Sequence, residues 1–176
     1  MPRRTLTLGD WDAQFHAYTT SAWRWERQPF YASDVATGWP ARWLSGDRTF
    51  PADYLGRWLD EVRARTVAGR TMERVRVVDE PMTDRQRWAD WAADFNREAG
   101  EVIHRLSRPA AGKAGLLDDA PTDFWLMDGG LVLFLVFDAE SNLVEVEADN
   151  EPATIRWAID VRDRATAAVE VASPRA

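Results

Sequence analysis

From Asp123 to Asn150 the chain reads DFWLMDGG, LVLFLVFD, AESN and LVEVEADN. Three short runs rich in Val, Leu, Phe and Trp are punctuated by Asp128-Gly129-Gly130 and by Asp138 to Asn142, a pattern that predicts consecutive antiparallel strands, a β-meander. In the third run Glu145 and Glu147 share one face and Val144 and Val146 the other, as on an antiparallel sheet with one wet face. The middle run, Leu131 to Phe137, has no alternation. It predicts a strand covered on both faces, through extra burial or a self-association surface. Upstream, Met72, Arg74 and Arg76 alternate with Glu73, Val75 and Val77, which predicts a strand over Thr71 to Asp79. In SAWRWE, Ala22, Arg24 and Glu26 alternate with Trp23, Trp25 and Arg27, which predicts an extended strand ending before Pro29. Its aromatic face is expected to cap a sheet edge. Glu101 to Leu106 predicts a further short strand.

Between these runs the period changes to that of a helix. Trp11, Phe15 and Tyr18 fall at i, i+4 and i+7 after Gly9-Asp10. A short helix is expected over Pro40 to Ser45, within otherwise irregular chain from Ser33 to Pro51. Ala52 to Ala68 carries an apolar stripe of Tyr54, Leu55, Trp58, Leu59 and Val62, with Gly69 suited to close the helix. Thr83-Asp84 can cap a helix running to Ala99, with Trp88, Trp91, Ala92 and Phe95 inward. Ala153 to Val171 predicts the last helix. Met1 to Leu8 reads as a loose start. Ser107 to Thr122 reads as loop with a turn of helix near Ala114 to Leu117, and Ser173 to Ala176 as a tail. The order from Thr71 is β-α-β-β-β-β-α. The fold class is α+β: a single, mostly antiparallel sheet of about five to six strands with packed helices. The chain reads as one domain over 1–176, with a helical and Trp-rich N-terminal segment at 1–70 and an α+β core at 71–172.

Composition narrows the classes of function. At 176 residues with 45% hydrophobic positions, the chain can bury a real core. It holds no apolar run of membrane-spanning length, and no hydrophobic signal core follows Met1-Pro2-Arg3-Arg4, so a cytoplasmic location is expected. With no cysteine, disulfides, thiolate metal sites and cysteine nucleophiles are excluded. A formal net charge of −7 argues against direct nucleic-acid binding through a basic surface. The basic residues are almost all Arg, with Lys113 alone as lysine, which we read as the bias of a GC-rich source. Ten tryptophans are many for this length, and they serve as core or interface anchors.

The chemistry-bearing residues form no recognisable catalytic motif. His16 and His104 are the only histidines, and neither sits in an HxH or HExxH spacing, so no metal site is expected. No GxSxG, P-loop or GxGxxG order is present. The acidic pairs Asp118-Asp119 and Asp79-Glu80 read as solvated acids rather than as an acid–base pair in a cleft. Arg70, Arg74, Arg76, Arg85 and Arg87 read as a partner-facing anchor or as internal salt bridges with Glu73, Asp84 and Glu101.

The runs RVRVVDEPMTDRQRW, FNREAGEVIHRL and DFWLMD, with SAWRWE and the Leu55–Gly69 helix more weakly, resemble the DUF6879 family of actinomycetes, which has no established activity. Members of that family are often encoded beside helix-turn-helix regulators, so the resemblance implies a regulatory or accessory role. The element order is also similar to a half-domain of the phospholipase D-like fold. That fold's chemistry needs a His-x-Lys signature, and here Arg105-Leu106 follows His104, so a nuclease derived from it is disfavoured. No cofactor is expected. The leading expectation is a non-enzymatic accessory protein that binds a protein partner, with a helix-turn-helix regulator as the specific candidate. The contact would run through the aromatic N-terminal third and a sheet edge, and a homodimer is a further expectation. The alternative is a small-molecule-binding protein or enzyme of specialised metabolism, with a pocket between the Trp-rich segment and the meander. Trp23, Trp25, Arg76, His104 and Trp125 are the candidate ligand or partner residues.

Overall fold

A computed structural model describes residues 3–172. The expected tail at 173–176 and the first two residues of the loose start lie outside the described residues. One mixed sheet organises the chain. Its strands are β1 (Arg4–Leu6), β2 (Ser21–Glu26), β3 (Thr71–Val78), β4 (Val102–Ser107), β5 (Asp123–Met127), β6 (Leu131–Phe137) and β7 (Leu143–Asp149). In space they run β1-β7-β6-β5-β2-β3-β4. The meander β5-β6-β7 is antiparallel, as the turn residues require, and β1 and β2 join its two sides antiparallel. Strands β2, β3 and β4 are mutually parallel, because helices intervene between them and carry the chain back.

The helices are α1 (Leu8–Ala17), α2 (Ala32–Ala36), α3 (Trp39–Leu44), α4 (Ala52–Val67), α5 (Asp84–Glu98), α6 (Arg108–Lys113), α7 (Leu116–Asp119) and α8 (Pro152–Ala172). Two of them start on capping boxes. Thr7 accepts from the Asp10 N–H while the Asp10 carboxylate accepts from Thr7, and Thr83 and Gln86 do the same at α5. At the end of α5, Gly100 has φ 107°, and a Cβ there would lie 2.5 Å from Thr66 Oγ1 of α4. Only glycine allows the two helix ends to approach so closely.

The sheet separates two apolar layers. Under α6, α7 and α8 lie Trp23, Trp25, Val75, Val77, Leu106, Phe124, Leu126 and Val132. Under α1 and α4 lie Ala22, Met72, Trp125, Met127, Leu133, Leu135 and Val146, packed on Phe15, Tyr18, Leu59 and Val62. A smaller cluster of Trp39, Trp88 and Ala92 ties α3 to α5.

Three expectations need correction, and a fourth, for the apolar strand β6, holds in its burial. The sheet has seven strands rather than five to six, because three residues of the supposed loose start pair with β7. SAWRWE does not cap a sheet edge: β2 lies inside the sheet, between β5 and β3. The segment after Ser107 holds not only the expected turn of helix, found slightly later as α7, but also α6 in place of loop, with Ser107 accepting from the Ala110 N–H and Pro109 in the first turn. The apolar strand β6 is covered on both faces, by Phe134 under α8 and Leu133 and Leu135 on the other side. Its edges are paired to β5 and β7, so as a place for a second copy to add a strand it is taken.

Candidate ligand cleft

Strand alternation builds the site. In β2 and β3 the residues facing α8 are Trp23, Trp25, Val75 and Val77, so Arg24, Glu26, Arg74 and Arg76 must all point to the other face. The parallel register sets Arg24 beside Arg74 and Glu26 beside Arg76. Antiparallel β5 adds Trp125 opposite Arg24.

The charges on this face form one network. The Glu26 carboxylate accepts from Arg76 Nε at 2.7 Å and from Arg74 Nη1 at 2.9 Å. Arg74 turns its other edge to Glu101, with a fork of 2.6 and 2.9 Å. Arg24 Nη2 donates to the Tyr31 hydroxyl at 2.8 Å and lies 3.3 Å from Asp123, and Tyr31 in turn donates to Asp123 at 2.5 Å. Asp123 also accepts the Arg27 and Gln28 N–H groups. Glu26, Glu101 and Asp123 are almost wholly buried, and Arg74 and Arg76 are buried. Three guanidiniums are thus balanced by three carboxyl groups.

The protonation behaviour follows from that burial. Burial works against the charge on Glu26, but Arg76, Arg24 and Arg74 outweigh it and hold the carboxyl well below its ordinary range. Burial likewise opposes the charge on Arg24, yet Tyr31, Glu26 and Asp123 raise its pKa. At Asp123 burial wins and pushes the carboxyl up against Arg24. Burial also pushes the Tyr31 phenol well above its ordinary value. Asp34, which accepts the Tyr54 hydroxyl, is pushed up by burial.

Above the network opens a cleft of about 570 Å³. Arg24, Arg74 and Arg76 reach it from the sheet, together with Trp125. One wall comes from α1 and α4, with Trp11, Phe15, Leu55 and Trp58. Another comes from α5, with Trp88, Ala92 and Asn96. The rings brace one another: Phe15 stands edge-on to Trp125 at 4.9 Å, and Trp58 donates to Asn96 at 2.6 Å. The volume is within the range of small-molecule pockets. A second hollow lies where β2 and β3 begin, beside α8. Its lining includes Thr71, Asp163 and Glu170, which are exposed, and it holds no buried charge.

Residues 9–173 match the family model described as Domain of unknown function (DUF6879). The chain belongs to the DUF6879 family. No curated protein matches it. In this DUF6879 chain the segments that carry the resemblance converge on the cleft. SAWRWE supplies Arg24 and Glu26, RVRVV supplies Arg74 and Arg76, AGE supplies Glu101, and DFW supplies Asp123 and Trp125.

The structure divides the candidate residues by strand parity. Arg76 and Trp125 line the cleft. Trp23 and Trp25 do not: they point to the opposite face, where Trp25 is fully buried and donates to the Ala120 carbonyl. His104 sits beside Val75 in the register, also on that face, and its ring lies 3.3 Å from Glu73. The arginine series splits as well. Arg74 pairs with Glu101 in an internal bridge, whereas Arg87 meets Asp84 in an exposed pair within the first turn of α5, Arg85 stacks on Phe30 and Arg70 lies over Tyr18. Missed by the sequence reading were Tyr31, Asp34, Tyr54 and Asp123. Arg24 and Glu26 carried a usable signal, since their alternation with tryptophan sets charge against core.

Proposed function

We propose that this DUF6879 protein binds a small organic molecule in the cleft between the α1–α4–α5 wall and the sheet. One observation carries the reading: a buried arginine–carboxylate network forms the floor of an aromatic cleft. Burying five ionisable groups, with Arg24 part-buried beside them, is a poor route to stability, because well-packed hydrophobic residues of similar volume do as well or better. A binding role accounts for keeping them at the base of an open cavity. The test is a thermal-shift and tryptophan-fluorescence screen of the intact protein against a diverse library of small organic molecules. At least one chemical class is expected to raise the melting temperature and to lose that effect in Trp58→Ala. A library that moves neither signal overturns the reading.

The second reading is a regulatory accessory protein that contacts a protein partner, with a helix-turn-helix regulator as candidate. The net charge of −7 supports it, since an acidic surface complements a basic DNA-binding face. So does the resemblance to actinomycete proteins encoded beside such regulators, which also implies a cytoplasmic setting. The buried Trp23, Trp25 and Trp39 leave less aromatic surface for that contact than the sequence suggests. The half-exposed Val102 on edge strand β4 offers a place for a partner or a second copy. Co-expression with a candidate helix-turn-helix regulator is expected to give a stable complex, and separate elution of the two proteins would remove this reading. The likeness to a phospholipase D-like half-domain rests on element order alone and supplies neither reading with a catalytic residue.

A further inference from the structure

The sign of the ligand can be read from the hydrogen bonds that the cleft leaves unmade. Its carboxyl groups are matched within the protein: Asp34 accepts Tyr54, Glu61 meets Arg57 at 3.2 Å and Arg65 at 3.5 Å, and Asp12 lies 3.4 Å from His16. The hydroxyls of Tyr31 and Tyr54 already donate to carboxyl groups. The guanidiniums are different. Arg76 uses Nε on Glu26 and Nη1 on the Ala89 carbonyl, and its Nη2 has no partner among the described residues. Arg24 uses Nη2 on Tyr31 and Asp123, and its Nη1 likewise has none. Neither of these nitrogens belongs to the sealed, unpartnered atoms of the interior, so both are accessible, and both side chains line the cleft, Arg76 lining in addition the small hollow beside Phe30 and Pro40. Arg76 is more than nine-tenths buried. Both guanidiniums flank the same carboxylate, since Glu26 Oε2 lies 3.8 Å from Arg24 Nε while Oε1 takes Arg76 Nε.

We propose that the cleft takes an organic anion: a carboxylate or phosphate monoester whose oxygens bridge Arg24 Nη1 and Arg76 Nη2, with an apolar ring held among Phe15, Trp58 and Trp125. This rests on the reading of the cleft as a small-molecule site. Planar guanidinium edges present paired donors that match the oxygens of such groups. The aromatic walls take the ring through apolar burial. The back sides of both arginines are neutralised by Glu26 and Asp123, so the site is preorganised to donate and does not need the ligand to fold.

The test titrates three sets of probes into the full chain, followed by tryptophan fluorescence and calorimetry. The anions are 2-naphthoate and 2-naphthyl phosphate, the neutral probe is 2-naphthamide, and the cation is 2-naphthylmethylammonium. One anion or both are expected to bind at least tenfold tighter than the amide, with the cation weakest, and the preferred anion separates carboxylate from phosphate. Arg76→Lys, which keeps the charge but removes the free Nη2 edge, is expected to lose that tenfold preference. Arg24→Lys serves the same purpose if Arg76→Lys does not fold. Equal binding of all the naphthyl probes overturns the anion assignment and leaves the cleft as an apolar site. No response to any probe overturns both the assignment and the cleft as a site for this class of ligand.

Discussion

The two faces of strands β2 and β3 are made by alternate residues of the same short segments, yet they solve opposite problems. Toward α8, Trp23, Trp25, Val75 and Val77 form a dry layer in which packing alone is at stake. Toward α5, Arg24, Glu26, Arg74 and Arg76 form a layer that is nearly as buried but held by charge pairing. The comparison teaches that a polar face in an alternating strand need not be a wet one. Here it is a second interior, roofed in part and open only where the cleft lies.

That comparison can be broken by substitution at two consecutive residues of β2. Glu26→Ala leaves Arg74 and Arg76 without their shared counter-charge, and the expected loss of stability is about 3–5 kcal/mol in urea unfolding. Trp25→Ala on the opposite face is expected to lose about 3–5 kcal/mol as well, through the cavity it opens. A cost below about 1 kcal/mol for Glu26→Ala, the ordinary value for an exposed pair, would make the cleft face a solvated surface after all.

A smaller effect is expected where the two sides of the sheet are tied at its end. Asp128, in the β5–β6 turn with φ 50°, accepts the N–H groups of Thr19, Thr20 and Ser21 and both threonine hydroxyls. Burial acts against its charge, but the Ser21, Thr19 and Thr20 donors hold its carboxyl well below the ordinary value. A carboxyl with a lowered folded-state pKa stabilises fully above its unfolded value of about 3.9, and that stability is lost as pH falls through the folded value. Asp128→Asn is therefore expected to cost about 1–2 kcal/mol at pH 7 and to flatten the acid limb of stability against pH. An unchanged acid limb would assign that limb to other carboxyls such as Glu26.

Next comes Trp58→Phe, which keeps a ring in the cleft wall but removes the 2.6 Å bond to Asn96. The expected cost is about 1 kcal/mol in thermal or urea unfolding. The smallest effect is expected at His104. Its pair with Glu73 is part-exposed and lies on the face away from the cleft, so His104→Ala should shift stability by less than about 0.5–1 kcal/mol and leave naphthoate titrations unchanged. A lost titration signal in that variant would return His104 to the site.

Most elements were legible because they carry their own period or caps: Thr71–Val78 by alternation, the α5 start by Thr83 and Gln86, the meander by its turns. Strand β1 was not, since three residues hold no period and their pairing to β7 spans 140 positions or more. Helix α6 was masked by Pro109 and Gly112, which read as loop until Ser107 caps them. For the site, parity was the decisive and available clue. Trp23 and Trp25 alternate with Arg24, so they cannot share a cleft with Arg76, whose register partner is Glu26. What no local pattern could supply was which distant carboxyls would meet the arginines, because Glu101 and Asp123 arrive from other strands and loops.

That last feature has a temporal side. The cleft floor joins Arg24 to Asp123 across 99 positions and Arg74 to Glu26 across 48. A chain emerging from its N-terminus therefore displays Arg24, Arg74 and Arg76 before Glu101 and Asp123 exist to balance them. Loop closure over such separations is slow relative to local helix formation. The floor of the cleft is therefore complete only once the DFW strand has docked against β2.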